Sequence, residues 1–238
     1  MEYHLTSTGR ADTESESAFQ TARREAYEEI GLPDTATLPP PFRVEHLCEL
    51  PANLAKTELV VRPCVALLHG YDPGTGLSAN PESLIPTLDA REVAAVFTAP
   101  LGGFLKSRLG REEWYRGAWS LWHSEDWRSK FIFYFVNCVI FVLVLFILGP
   151  DDATVHQFFV RQKTATATEV YRIFGMTARI LVDAARLGYA QEPDFEHNSH
   201  FGDEEMIAKL RRLGRLSAVR KPSDQLTRQT MEKAAKLS

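Results

Sequence analysis

Glu25, Glu28 and Glu29 lie within one five-residue stretch. On an α-helix, residues three and four apart share a face, so these carboxylates would project together from about one turn of surface. Like charges that close repel unless a cation neutralises them. Carboxylate oxygens with no nearby cysteine or histidine suit a hard divalent ion such as Mg2+ or Mn2+. Arg24, four residues before Glu28, is placed to steer and partly neutralise it. For a bare Arg-Glu-x-x-Glu-Glu, the competing reading is a solvated, glutamate-rich helix held by its own ion pairs.

The flanking residues specify the helix that would carry this cluster. Thr13 or Ser17 can cap it, each followed three positions later by Glu16 or Gln20, and Gly31 with Pro33 just beyond supplies the stop. Phe19, Ala22, Ala26 and Ile30 fall on a second face that can pack on a sheet. One helix would thus have a core side and an acidic side.

Glu16 stands eight positions before Arg24, and Gly31-Leu32 closes the run. From Glu16 onward this resembles the Nudix box, Gly-x5-Glu-x7-Arg-Glu-U-x-Glu-Glu-x-Gly-U with U aliphatic. The start departs from it, because Arg10 holds the expected glycine position and Gly9 comes one residue early. Thr8-Gly9-Arg10-Ala11-Asp12 is similar to the Gly-Gly-Lys/Arg-x-Asp opening of the coenzyme A pyrophosphatase branch, with Thr8 in place of a glycine. Glu92-Val93 leading to Phe97 and Pro100-Leu101, and Phe174 through Leu181, resemble later family segments, so the likeness covers about residues 8–190.

The resemblance implies an α/β fold, an α/β/α sandwich around a mixed sheet. It implies hydrolysis of the diphosphate of coenzyme A or acyl-coenzyme A to 3′,5′-ADP and 4′-phosphopantetheine or its acyl form. Glu25, Glu28 and Glu29 would hold Mg2+ or Mn2+, and Glu25 or Glu92 would take the proton of the attacking water. Arg24 would orient the glutamates. Gly9 and Arg10 would line the approach to phosphate, and Glu16 would tie that loop to the helix. The rivals are a Nudix hydrolase for ADP-ribose or NADH, and an inactive membrane-associated product. Relatives in this branch imply a peroxisomal location, but the chain ends Lys236-Leu237-Ser238 rather than Ser-Lys-Leu.

Composition sets outer bounds. A chain of 238 residues, 45% hydrophobic, can bury one sizeable core. A net charge of −4 with a pI near 6.0 gives no footing for nucleic acid as main partner; the resemblance implies a small-molecule nucleoside diphosphate derivative instead. Cys48, Cys64 and Cys138 are odd in number and lack paired metal spacing, so they read as buried thiols of an intracellular protein. No cleavable signal sequence is expected from its opening residues.

Strand-like runs are expected at 44–50, 59–68 and 93–98, with a further strand at 158–160, a surface loop at 77–88 and a closing helix over 169–187. Residues 1–190 would form the hydrolase domain and 191–238 a basic helical extension. That tail reads as solvated, with a membrane-surface or anion-binding helix as the alternative. The chain begins eight residues before Gly9, whereas the family carries about two strands before the box, so an amino-terminally truncated sheet is expected.

Phe131 through Leu148 carry no charge, and as a helix would span about 27 Å, enough for a bilayer core. The segment reads as a membrane anchor, as a buried core helix, or as translated non-coding sequence. Excising about residues 129–154 joins Trp127-Arg128 to Val155-His156-Gln157-Phe158, a junction similar to an uninterrupted family strand.

Overall fold

A computed structural model describes residues 3–5, 11, 13, 15–34, 36–55, 58–79, 84, 96–111, 113–119, 154–163, 167–217 and 226–237. The box helix, α1, runs Ala18–Ile30. Ser17 rather than Thr13 caps it, in a reciprocal capping box. The Ser17 hydroxyl accepts from the Gln20 amide at 3.2 Å, and the Gln20 side chain accepts from the Ser17 amide at 2.8 Å. Gly31 ends the helix in the left-handed region (φ 67°), where a side chain would clash, and its N–H bonds back to the Tyr27 carbonyl. Ala22, Ala26 and Ile30 are buried as the 3.6-residue period requires, and Phe19 packs against the same cluster.

That face rests on a three-stranded antiparallel sheet in the order β1-β5-β2, made of Tyr3–Leu5, Cys64–His69 and Arg43–Glu49. The sequence reading named no strand before the box; Tyr3–Leu5 is one, and it pairs along the edge of β5. Ala66 and Leu68 of β5 meet the α1 cluster, while Val65, pointing the other way, joins a second core. The expected strand over 59–68 is divided. Val60–Val61 (β4) pairs with Asn53–Leu54 (β3) in a short ribbon, and Pro63, which has no N–H to donate, separates β4 from β5.

The second core is filled by Phe97, Phe104, Leu105, Trp114, Phe158 and Ile173 with the apolar side of a long helix. Its sheet is an antiparallel meander of β6 (Tyr115–Trp119), β7 (Thr154–Lys163) and β8 (Thr168–Phe174), and α2 (Gly175–Tyr189) packs on β7 and β8. The helix expected over 169–187 therefore begins only at Gly175. Val170, Tyr171, Ile173 and Phe174 favour a pleated strand, and pairing with β7 overrides the helical pattern. Gly175 (φ 62°) makes the strand-to-helix corner.

Every described strand pairing is antiparallel, so the mixed sheet does not appear among the described residues. What stands is an α/β fold, with α1 on the outer face of one antiparallel sheet and α2 packed against the other. Most of the strand expected at 93–98 lies outside the described residues. Within its last part, Phe97 is buried and stacks on Tyr171 with ring centroids 4.3 Å apart.

The tail is helical, and one side of it packs on the rest of the chain. α3 (Glu204–Arg212) and α4 (Arg228–Ala235) bury Leu210, Leu226 and Ala234 together, with Leu54 packed against them. Asp203 accepts from the Leu54 amide at 2.8 Å and from Arg179 of α2 at 2.9 Å. Glu204 accepts from the Ala52 amide at 2.9 Å. Arg215 pairs with the buried Glu58.

The apolar segment 131–148 lies outside the described residues, and among the described residues no helix is long and apolar enough to cross a membrane. Trp119 and Thr154, the nearest described residues on either side of that segment, are register partners in β6 and β7.

Candidate functional site

On the outer side of α1, Arg24 is the hub. Its Nε donates to Glu16 Oε1 at 3.0 Å, and its Nη1 donates to Glu25 Oε1 at 2.9 Å and to Glu28 Oε2 at 3.1 Å. Glu16 lies just before the helix, so this pair ties residue 16 to α1. The hydrogen bond that Arg24 donates to Glu16 first, and the one it donates to Glu25 next, push its guanidinium well above its ordinary range against the cost of burial, so it stays charged.

The three box carboxylates have different surroundings. The Glu25 side chain is 16% exposed and that of Glu28 is 53% exposed. Glu29 is buried. All three offer only oxygen, which fits a hard divalent ion. Arg24 engages one oxygen each of Glu25 and Glu28. Arg23, next along the helix, is buried, and its Nη2 donates to the Pro33 carbonyl at 2.5 Å. Gly9, Arg10 and Glu92 lie outside the described residues.

A different cluster holds mixed donors. Among the described residues, the set whose histidine, cysteine and carboxylate donors all lie within 4.8 Å of one another is His46, Glu49 and Cys64. Burial, then the nearby Glu49 charge, pushes the Cys64 thiol up to about 12 and keeps it protonated. An open cleft of about 410 Å³ lies elsewhere, with Pro100, Arg111, Trp114, Phe159 and Arg161 among its walls.

A buried chain of polar groups runs through the second core, and the sequence reading missed it as a unit. His156 meets the Tyr115 hydroxyl through Nδ1 at 3.1 Å and His197 through Nε2 at 2.8 Å. His197 Nε2 meets Asp183 at 2.9 Å, and Asp183 accepts from Arg186 at 3.1 Å. With both imidazoles neutral the chain has a consistent polarity. Tyr115 O–H donates to His156, His156 Nε2–H to His197, and His197 Nε2–H to the carboxylate. The network fastens the segment after α2 to β7 and α2. His156 and His197 are 41 residues apart, and no spacing rule joins them.

Burial first, and the neighbouring His197 next, push His156 from its ordinary 6.5 down to about 4. The folded protein therefore holds it neutral where the unfolded chain would take up a proton. Its contribution is complete above pH 6.5 and is lost as pH falls from 6.5 toward 4. The total is roughly 3 kcal/mol. Urea unfolding repeated from pH 7 to pH 4 should show this decline, and His156→Gln should make the profile flatter; equal slopes would remove His156 as the cause.

No protein-family model matches the chain. It is 28% identical over 187 residues to Nudix hydrolase 15, mitochondrial, of Arabidopsis thaliana, an alignment that takes in 79% of this chain and 47% of that protein. The chain thus spans about half the length of the curated relative it matches. The relative's name states no substrate, and it is mitochondrial where the branch resemblance implied a peroxisome. The box residues, the helix that presents them and this alignment agree: over most of its length the chain is similar to a Nudix hydrolase.

Proposed function

We propose that this chain is a metal-dependent hydrolase of a nucleoside diphosphate derivative, with coenzyme A or acyl-coenzyme A as its substrate class. The observation that carries the reading is Arg24 bonded at once to Glu16, Glu25 and Glu28 on a doubly capped helix. The similarity to a Nudix hydrolase supports it. Coenzyme A rests on the Gly9-Arg10-x-Asp12 opening alone.

Glu25, Glu28 and Glu29 would hold Mg2+ or Mn2+, which when bound neutralises diphosphate charge and lowers the pKa of an attacking water. Arg24 keeps Glu25 and Glu28 in register and does not touch substrate. Glu16 anchors Arg24 to the segment just before the helix; Gly9 and Arg10 would bind the phosphate side of the substrate. Glu25 or Glu92 accepts the water's proton. The relative's printed name supports a mitochondrial location as the proposed one.

The test is a panel of coenzyme A, acetyl-coenzyme A, ADP-ribose and NADH, each incubated with the full chain and Mg2+ or Mn2+ and resolved by chromatography. The expected products are 3′,5′-ADP with 4′-phosphopantetheine or its acetyl form. Preferred release of AMP from ADP-ribose or NADH would replace the substrate assignment. Absence of turnover on every compound with either ion would remove the enzymatic reading.

A further inference from the structure

Apart from the acidic face of α1, the sheet beneath that helix carries a set of donors with different chemistry. In β2 the register slips between His46 and Cys48. His46 pairs with Ala66, Cys48 with Val65 and Glu49 with Cys64, which leaves Leu47 as the extra residue of a β-bulge. In a regular strand, residues three apart point to opposite faces. The bulge cancels that alternation and brings His46 and Glu49 to the face shared by Cys64 and Ala66, the side that packs toward α1. Cys48, opposite Val65, is on the other face.

We propose that His46, Glu49 and Cys64 form a site for a borderline divalent ion, Zn2+ by preference. One imidazole nitrogen, one carboxylate oxygen and one sulfur already lie within 4.8 Å of one another. Tetrahedral donors at about 2.0–2.3 Å from zinc stand roughly 3.5 Å apart, so modest side-chain rotation closes the site. Sulfur and imidazole donors select against Mg2+, which prefers oxygen throughout. The ion would displace the proton that Cys64 keeps in its absence.

The neighbours permit this closure. Glu49 meets Arg62 at 3.9 Å, longer than a charge-assisted hydrogen bond, and Arg62 has a nearer partner in Glu204 at 3.2 Å. Cys64 is buried, and its sulfur has a 4.0 Å contact with the Arg62 carbonyl. His46 and Glu49 reach the surface, so an ion can enter from solvent and a water can take the fourth position. His46 also stacks on Phe19 with ring centroids 4.2 Å apart. Zinc would therefore clamp β2 to β5 under the first turn of α1.

Cobalt(II) titration of the reduced, chelator-treated full chain tests this independently of any turnover. The expected result is a sulfur-to-cobalt charge-transfer band with visible bands of tetrahedral intensity, saturating at one ion per chain. Zn2+ should abolish these bands and excess Mg2+ should not. Cys64→Ser should remove the charge-transfer band and Cys48→Ser should retain it. His46→Gln and Glu49→Gln, both at surface-reaching positions, should fold normally and bind Zn2+ about tenfold or more weakly. If Cys64→Ser does not fold, those two variants decide the matter. No band in the parent chain, a band that survives loss of Cys64, or unchanged Zn2+ affinity in both surface variants overturns the site.

Discussion

Glu28→Gln lowers Mg2+-dependent turnover of the preferred diphosphate by about 10²-fold or more, because carboxylates that act together on one ion are not additive and loss of one disables the set. The same change costs little stability. The Glu28 side chain is half exposed, and its described partner is Arg24, four residues away at 3.1 Å. Exposed pairs of that spacing contribute about 0.3–0.5 kcal/mol. Turnover should therefore collapse while the thermal midpoint stays within about 2 °C. Initial rates and a circular-dichroism melt on the same preparation separate the two effects. A rate within severalfold of the parent would show that this face of α1 is not where the chemistry happens.

Asp183→Asn should have the largest effect on the fold. Asp183 is 3% exposed and accepts from both Arg186 and His197. Asparagine keeps the shape and one acceptor oxygen but removes the charge. Arg186 is also buried, and loss of one member of a buried ion pair commonly costs about 3–5 kcal/mol, because the other charge is left without its counter-ion. Arg186 retains two bonds to Glu192, at 2.8 and 3.0 Å, which places the loss near the low end, about 3 kcal/mol. For a chain of this size the melting midpoint should fall by about 6–12 °C. Urea unfolding at pH 7 measures the loss directly. A change under about 1 kcal/mol would mean that Glu192 alone satisfies Arg186 and that the chain of groups to Tyr115 is incidental.

These two expectations draw on different kinds of information. The site helix was legible because the interactions that make it reach four residues or fewer. Ser17 with Gln20, Gly31 at the stop, and the buried row of Ala22, Ala26 and Ile30 follow from helical pitch and need no partner to be known. Arg24 with Glu28 is equally local, and Arg24 with Glu16 spans one turn beyond it. The 169–187 segment marks where local reasoning fails. A strand and a helix follow one another there, and it is the ladder to β7, with Gly175 at the corner, that ends one at Phe174 and starts the other.

The amino-acid order alone determined the acidic helix, its core face, its caps and the family likeness, because each is written in spacings shorter than a turn or two. Tertiary structure decided the rest. The bulge that brings His46 and Glu49 to Cys64 is a property of how β2 registers on β5, and the Tyr115–His156–His197–Asp183 chain exists only after β6, β7 and α2 have packed. The docking of α3 rests on pairs such as Glu204 with Ala52, 152 residues apart. Chain folding selects such contacts through burial and hydrogen-bond satisfaction, and neither leaves a periodic trace along the sequence.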